Sequence, residues 1–300
     1  VHSVIYDEQR DRATGVRVID ATTKQALEFR ARLVFLCAST LGSTHIMLNS
    51  STPRFPNGLA NSSGALGHYL MDHTYAAGAV AEMPGFADRS YYGVRPNGIY
   101  IPRFRNVTEA HPDFLRGYGF QGGAWREGWQ RGVRMAGLGA ELKRELRQPG
   151  PWRMSFGGFG ECLPRYENHV DLDPERVDSW GIPLLRIHAT WSDNEHALRK
   201  DIQVTAAEML EAAGGRDIIT YDRQSPPGLC IHEMGTARMG RDPKSSVLNE
   251  WNQVWDCKNV FVTDGSFMTS SACQNPSLTY MAFTARAADY AVQELKRRNL

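Results

Sequence analysis

Three short segments near the carboxyl end of the sequence carry side chains whose types suit proton transfer and hydrogen bonding at a reacting hydroxyl group. His232 lies within CIHEMGTARMG, Asp264 and Gly265 lie within VTDGS, and Asn275 begins NPSLT. An imidazole ordinarily titrates at about pH 6.5, so it can accept a hydroxyl proton at neutral pH. An amide can hydrogen-bond but cannot act as a base. The residue types therefore predict His232 as a base and Asn275 as a hydrogen-bonding partner.

These residues also have ordinary structural interpretations. A single histidine beside apolar residues is more often a core group with satisfied hydrogen bonds, and Asn-Pro is a common way to begin a helix. The pair Asp72-His73 could bind a metal or transfer protons, but its more ordinary role would be to order a loop. The residues alone leave these alternatives open.

The predicted elements around these segments would bring them to one end of a buried sheet. Residues 259–263 form a short apolar, β-branched run, which predicts a strand that ends at Asp264-Gly265. Asn275 is predicted to cap a helix with Pro276 at its first position, and the amides at that helix start would favour negative charge. The apolar residues of this helix repeat every three or four positions and predict a face packed against the core: Leu278, Met281, Ala285, Ala288, Val292 and Leu295.

The first part of the chain has the pattern of an α/β unit. Residues 15–20 and 26–31 alternate between apolar and polar side chains and predict a β-hairpin. Residues 32–37 predict a fully apolar strand, and the turn at 38–43 leads into a helix. A turn between strand and helix is common in α/β proteins, so it does not by itself indicate a ligand.

The middle of the chain, residues 76–225, has the composition of an antiparallel sheet rich in aromatic residues and glycine. Aromatic residues cluster at Tyr91-Tyr92 and between 100 and 104. Such a surface could be an ordinary sheet with a mobile loop, or a platform on which sugar rings stack. The sequence SDNE at 192–195 is typical of a capping box and predicts a helix that ends at Gly214-Gly215.

Composition excludes several classes of function. The chain has 300 residues and a formal net charge of +1, which gives no signal for binding nucleic acid. No apolar run approaches the roughly 20 residues that a transmembrane helix needs. The five cysteines contain no Cys-x-x-Cys pair, so their spacing predicts neither a metal site nor a redox disulfide.

The order of the three carboxyl-terminal segments resembles the signature of the glucose-methanol-choline (GMC) flavoprotein family. This resemblance implies FAD as cofactor, His232 as the catalytic base and Asn275 as its partner, which hydrogen-bonds the substrate oxygen. It also implies a wider set of cofactor-binding residues: Asp264, Gly265, Asn275, Pro276 and Thr279. A segment at 157–164 resembles the return strand of the family, which makes Glu161 a candidate substrate contact, and Gln121 of the aromatic region is a second one.

The sequence lacks the Gly-x-Gly-x-x-Gly turn that holds a dinucleotide pyrophosphate, and it opens on Val1. We therefore expect it to be the C-terminal portion of a longer protein. The expected fold is α/β, with a partial, discontinuous, Rossmann-like FAD-binding domain and a substrate domain built on an antiparallel sheet flanked by helices. Residues 1–75 and 226–300 would form the FAD-binding domain, and residues 76–225 the substrate-binding domain.

The residue sequences of these segments most resemble those of bacterial glucoside 3-dehydrogenases and gluconate dehydrogenases. That resemblance implies oxidation of a CH–OH group in a sugar, glycoside or sugar acid, with hydride transfer to flavin and electrons passed to an acceptor other than oxygen. It also implies a small helper subunit and a cytochrome as partners, and a periplasmic location. Two alternatives remain, an oxygen-using alcohol oxidase and a non-catalytic fragment without the pyrophosphate site.

Overall fold

The computed structural model describes residues 1–89 and 98–300. Its helices and strands follow in chain order: β1 (Ser3–Asp7), β2 (Arg12–Ile19), β3 (Ala26–Arg30), β4 (Val34–Leu36), α1 (Thr40–Leu48), β5 (Thr74–Glu82), β6 (Ile99–Ile101), β7 (Tyr118–Arg126), α2 (Gly139–Arg147), β8 (Trp152–Gly160), β9 (His169–Val177), β10 (Pro183–His188), α3 (Asp193–Ala212), β11 (Arg216–Asp222), β12 (Gln253–Val254), β13 (Cys257–Val262) and α4 (Ser277–Lys296). The expected mixed α/β class with antiparallel sheets is confirmed.

The chain folds as two compact units. Unit 1 comprises residues 1–73, 162–190 and 230–300, and unit 2 comprises residues 74–161 and 191–229. The expected substrate-binding domain was continuous over residues 76–225, whereas residues 162–190 belong to unit 1. Backbone hydrogen bonds explain this difference, since Val170 donates to the Gly67 carbonyl at 2.9 Å and Leu70 donates to the Asn168 carbonyl at 2.9 Å.

Unit 1 contains a parallel pair of strands at its core. β13 pairs with β4 in parallel, with Val260, Phe261 and Val262 opposite Val34, Phe35 and Leu36. β1, β2 and β3 form a separate antiparallel sheet, which includes the predicted hairpin. The buried side chain of Asn259 joins β2 to the chain before β4, because it donates to the carbonyls of Ala13 and Arg32 and accepts from the Ala13 amide.

The prediction for helix α4 was wrong in two respects. The helix begins at Ser277, and Pro276 rather than Asn275 is the residue that flanks it. The predicted packing face is largely exposed, with Leu278 77% exposed, Met281 68% and Val292 47%. A neighbouring stripe carries the buried residues Ala287 and Ala291.

The packing partner of α4 explains why the small residues face inward. Ala287 and Ala291 cluster with Phe261 of β13, whose ring stacks on Phe35 of β4 with centroids 4.8 Å apart. Two bulky rings already fill the space above the strands, so the helix approaches them through alanines. The sequence period identified a stripe of large apolar residues but not the stripe that meets the sheet.

Unit 2 is built on a five-stranded antiparallel sheet in the order β11-β5-β8-β7-β6. Helix α3 packs on this sheet through a stripe of buried residues at a spacing of four: Leu198, Ile202, Ala206 and Leu210. A Cβ atom at Gly158 would lie 2.5 Å from Ile202 Cγ2, so this glycine of β8 allows the close approach of the helix. The predicted capping box at Ser192 and Glu195 is confirmed.

The described ranges contain no helix that is both long and apolar enough to cross a bilayer. The aromatic pair Tyr91-Tyr92 lies outside the described residues.

Candidate active site

The predicted site segments meet in unit 1 at the carboxyl ends of the two parallel strands. β4 leads into helix α1, and β13 leads into a short 3₁₀ turn at Gly265–Phe267. Ligands of α/β proteins commonly bind outside the carboxyl ends of parallel strands. This edge is therefore the part of unit 1 where a ligand site is expected.

Asp264 organises this edge from within. Its Oδ1 accepts hydrogen bonds from the Ser266 amide at 3.0 Å and the Ser266 hydroxyl at 2.6 Å, and its Oδ2 accepts from Ser43 Oγ of α1. Asp264 and Ser43 are both buried. The carboxylate thus ties the turn after β13 to the helix after β4, and its oxygens are engaged inside the protein.

Gly265 is the point at which three segments come closest together. A Cβ atom there would lie 2.3 Å from Thr40 Oγ1, 2.5 Å from the Glu233 carbonyl oxygen and 2.7 Å from the Tyr280 hydroxyl oxygen. Thr40 Oγ1 in turn donates to the Glu233 carbonyl at 2.5 Å, and the Gly235 amide donates to the Gly265 carbonyl at 3.1 Å. The segment that carries His232 is therefore fixed against both strand ends, and any side chain at position 265 would separate them.

His232 is positioned by the carboxylate of Asp72. Asp72 accepts hydrogen bonds from three backbone amides, those of His73 at 2.8 Å, Cys230 at 3.0 Å and His232 at 3.3 Å. The His232 and His73 rings meet edge to face, with centroids 5.0 Å apart. Asp72 therefore orders the loop that carries the candidate base, as the more ordinary of the two interpretations of Asp72-His73 predicted.

Two buried polar atoms at this edge have no hydrogen-bond partner among the described residues. They are Nδ1 of His232 and the hydroxyl oxygen of Tyr280. Burial raises the pKa of Tyr280, and the nearby carboxylates of Asp264 and Glu233 raise it further, so this hydroxyl stays protonated. Buried polar groups in native proteins are nearly always paired, so these two atoms leave the hydrogen bonding at this edge incomplete.

The remaining predicted cofactor-binding residues lie around the start of α4. Asn275 is exposed, Pro276 is buried, and Thr279 in the first turn is half-buried. The loop before them is held by Ser271, whose hydroxyl donates to the Cys162 carbonyl at 3.2 Å and accepts from the Cys162 amide at 2.9 Å.

The two predicted substrate contacts lie in unit 2. Glu161 is buried just after β8, and its carboxylate accepts a hydrogen bond from Arg103 Nη1 at 2.7 Å. Burial raises the pKa of Glu161, although Arg103 opposes that effect. Gln121 is a half-buried residue of β7, opposite Gly157 of β8.

Sequence reasoning missed the hydrogen bonds that hold the site together. Thr40 and Ser43 lie within the turn at 38–43, which by itself did not indicate a ligand, and Thr44 Oγ1 bonds Thr236 Oγ1 at 2.7 Å. The available signal in the sequence was the group of small hydroxyl residues Thr40, Ser43 and Thr44 at the start of α1. Their partners, however, are about 190 residues or more away in the chain.

Comparison with known proteins identifies the family that the chain resembles. Residues 164–284 match the family profile described as GMC oxidoreductase. Over 291 residues, the chain is 34% identical to a 2-methyl-1,2-propanediol dehydrogenase of Mycolicibacterium austroafricanum, a match that covers 93% of this chain and 51% of that protein. The chain belongs to the GMC oxidoreductase family. FAD is the cofactor of this family.

A second relative and one solved structure extend the comparison of this GMC chain. The fructose dehydrogenase large subunit of Gluconobacter japonicus is 26% identical, with 99% of this chain and 54% of that protein covered. The crystal structure of pyridoxine 4-oxidase from Mesorbium loti matches with a TM-score of 0.51 at 16% identity, covering 98% of this chain and 56% of that one, and shows a shared fold. The GMC chain spans about half the length of both relatives.

Proposed function

We propose that this GMC chain forms the reacting half of an FAD-dependent oxidoreductase that oxidises a CH–OH group of a sugar, glycoside or sugar acid. The observation that carries the proposal is the placement of His232. Its backbone is fixed by Asp72, and its half-buried ring belongs to the segment that is held against the loops following β4 and β13. A positioned, half-buried imidazole is what removal of a hydroxyl proton requires.

The residues at this edge fit a bound flavin. The half-buried side chains of His232 and Tyr280 are polar groups at this edge, and the start of α4 offers backbone amides with partial positive charge. Asp264 and Gly265 would support the cofactor by holding the turn in place, and Pro276 and Thr279 would do so from the first turn of α4. FAD, when bound, supplies the acceptor for the hydride.

The reaction follows from the roles of these residues. His232 takes the hydroxyl proton of the substrate, the carbinol carbon gives up its hydrogen as hydride, and a C=O bond forms in place of the C–OH group. Asn275 hydrogen-bonds the substrate oxygen and holds it for this transfer. Glu161 and Gln121 of unit 2 remain proposed contacts for the other hydroxyl groups of the substrate.

The proposed electron acceptor is a carrier rather than oxygen. Two of the sequence relatives are named as dehydrogenases, and one of them is the large subunit of its enzyme, which supports a partner subunit; a cytochrome is a further proposal. The structural match to an oxidase concerns the fold alone and does not favour oxygen. A periplasmic location remains part of the same proposal.

Anaerobic reduction of the purified complete gene product tests the function. Glucosides, gluconate, fructose and a simple diol would each be mixed with the flavin-loaded protein while the visible flavin absorbance is followed. We expect at least one sugar or sugar acid to bleach the flavin, and a dye to restore its absorbance. In a separate assay in air without dye, peroxide in equal amount to the product would identify an oxidase, and a preparation that holds no flavin would support the non-catalytic alternative.

The role of Asn275 can be tested by a change of charge with little change of shape. Asn275→Asp adds a negative charge just before the amides that begin α4, where the proposed flavin becomes anionic on reduction. We expect normal thermal stability, a lower flavin midpoint potential and slower reduction. Asn57→Asp, at an exposed position of unit 1, provides the matched control and should change neither quantity. Equal potentials and rates in both variants would place Asn275 away from the flavin.

A further inference from the structure

The hairpin of β9 and β10 brings two histidines and an aspartate onto one face. His169 pairs with His188 across the two antiparallel strands, and Asp171 lies two residues along β9 from His169. Residues two apart on a strand point to the same side, and directly opposed residues are the closest neighbours across it. One potential ligand atom from each of the three side chains lies within 4.8 Å of the other two.

The orientation of His169 is fixed by contacts on both sides of its ring. Its Nδ1 lies 2.7 Å from the Glu167 carbonyl oxygen, so Nδ1 carries the proton and the lone pair of the neutral ring is on Nε2. The ring stacks between His68 and His188, with centroids at 5.0 Å and 4.4 Å. Histidines that bind metals usually donate their second ring N–H in this way, often to a backbone carbonyl.

Asp171 is held in place by Arg186, the residue opposite it on β10. Arg186 donates from Nε at 2.7 Å to one carboxylate oxygen and from Nη2 at 2.6 Å to the other. A carboxylate has about four lone-pair positions, so two remain after this fork-like contact. His188 Nε2 lies 3.3 Å from Asp171 Oδ1 and donates to it, because a carboxylate only accepts, so a bound ion at Nε2 would displace this proton.

The face is open to ions from solution. His169 and Asp171 line a cavity of about 530 Å³ whose walls also include His68 and Tyr166. The side chains of His188 and Asp171 are 45% and 38% exposed. Zinc bonds of about 2.0–2.2 Å require ligand atoms closer than those seen, and partly exposed side chains can turn to meet that requirement.

We propose that His169, Asp171 and His188 form a binding site for a divalent transition ion, with Zn²⁺ as its best representative. Two imidazoles and one carboxylate are preferred ligands of Zn²⁺ and leave a coordination position for water. The bound ion would join β9 to β10 and thereby stabilise the hairpin. The site is independent of the proposed oxidation, because none of its residues takes part in it.

Zn²⁺ binding to the full chain, without an affinity tag, tests this site. All variants would carry Cys37→Ser, since Cys37 is the one exposed cysteine and could bind Zn²⁺ itself. Calorimetry with ZnCl₂ alone should show that one ion binds per chain. The bound ion should also raise the melting temperature. His169→Ala and His188→Ala should each weaken binding by about 100-fold or more, since loss of an outer contact alone costs about 10–100-fold. Asp171→Asn, which keeps the shape, should also weaken it.

The matched control is His196→Ala, an exposed histidine on α3 in unit 2. It should bind Zn²⁺ as the Cys37→Ser parent does. Circular dichroism of each variant without metal would show whether it is folded. If His169→Ala is not folded, His169→Gln would take its place. Failure of the parent to bind Zn²⁺, or equal binding by the parent and both histidine variants, would overturn the proposal.

Discussion

His232→Ala should slow reduction of the bound flavin by substrate by roughly 10²–10⁴-fold, which is the usual contribution of a general base. The reason is local, because the segment that carries His232 is held against the loops after β4 and β13. Flavin content should hardly change, since Asp72 accepts its hydrogen bond from the backbone amide of position 232, which alanine keeps. Stopped-flow reduction at saturating substrate measures the effect.

His45→Ala is the control for this prediction. His45 is also a half-buried histidine of unit 1, but its Nε2 lies 2.6 Å from the Pro183 carbonyl oxygen, which is a structural contact. We expect His45→Ala to lower the melting temperature and to leave the reduction rate within a few-fold of the wild type. Reduction of His232→Ala at the wild-type rate would show that position 232 is structural and that the base lies elsewhere.

Asp222→Ala should lower the free energy of unfolding of unit 2 by about 3–5 kcal/mol, the range for removing one partner of a buried ion pair. The partner is Arg199 of α3, whose side chain is 2% exposed. Arg199 donates from Nη2 to Asp222 Oδ1, from Nε to Oδ2 at 3.3 Å, and from Nη1 to the Ser225 carbonyl at 3.2 Å. Without the carboxylate, a buried positive charge would have no counter-charge.

Urea denaturation followed by fluorescence measures this loss, with Glu211→Ala as the control. Glu211 is an exposed residue near the end of the same helix, and its replacement should change the unfolding free energy by less than about 0.5 kcal/mol. Asp222→Asn keeps a hydrogen-bond acceptor, so its unfolding free energy should lie between those of Asp222→Ala and Glu211→Ala. Equal midpoints for the wild type and Asp222→Ala would mean that Arg199 finds another partner or reaches water.

The same ion pair sets a dependence on pH. Burial alone would raise the pKa of Asp222, but the hydrogen bonds from Arg199 outweigh it and hold the pKa below its ordinary value. A carboxyl group with a lowered pKa contributes stability above its unfolded pKa of about 3.9. That contribution should disappear as the pH falls from about 4 through the lower folded value. Asp222→Ala should therefore lose less stability than the wild type over this interval.

Local patterns predicted the elements well because their causes are local. The hairpin of β2 and β3, the antiparallel sheet of unit 2 and the capping box at Ser192 follow from alternation, turn residues and side-chain reach within a few positions. The HEMGT and TDG segments were also recognised from short stretches of sequence. The hydrogen bonds that join these segments were not recognised, because Asp72 and Ser43 contact partners 158 and 221 positions away, respectively.

Features set by packing or by strand register were beyond the sequence. The helical period of α4 was predicted correctly. The stripe of the helix that packs on Phe261, however, is set by the space above the stacked rings of Phe35 and Phe261. The His169, Asp171 and His188 group depends on the register of β9 and β10, which pairs positions 19 residues apart. Cysteine spacing, which argued against a metal site, contains no information about such a cross-strand group.

The inverted burial of α4 has a consequence for how this helix tolerates mutation. Hydropathy would rank Leu278, Met281 and Val292 as the constrained positions and the alanines as permissive. The structure reverses that ranking, since a larger side chain at Ala287 or Ala291 would be driven into Phe261, whereas lysine or glutamate could replace the exposed residues in the isolated chain. A saturation library of α4 would therefore record the neighbours of the helix, and any exposed position that resists charge would mark surface that contacts a group outside this chain.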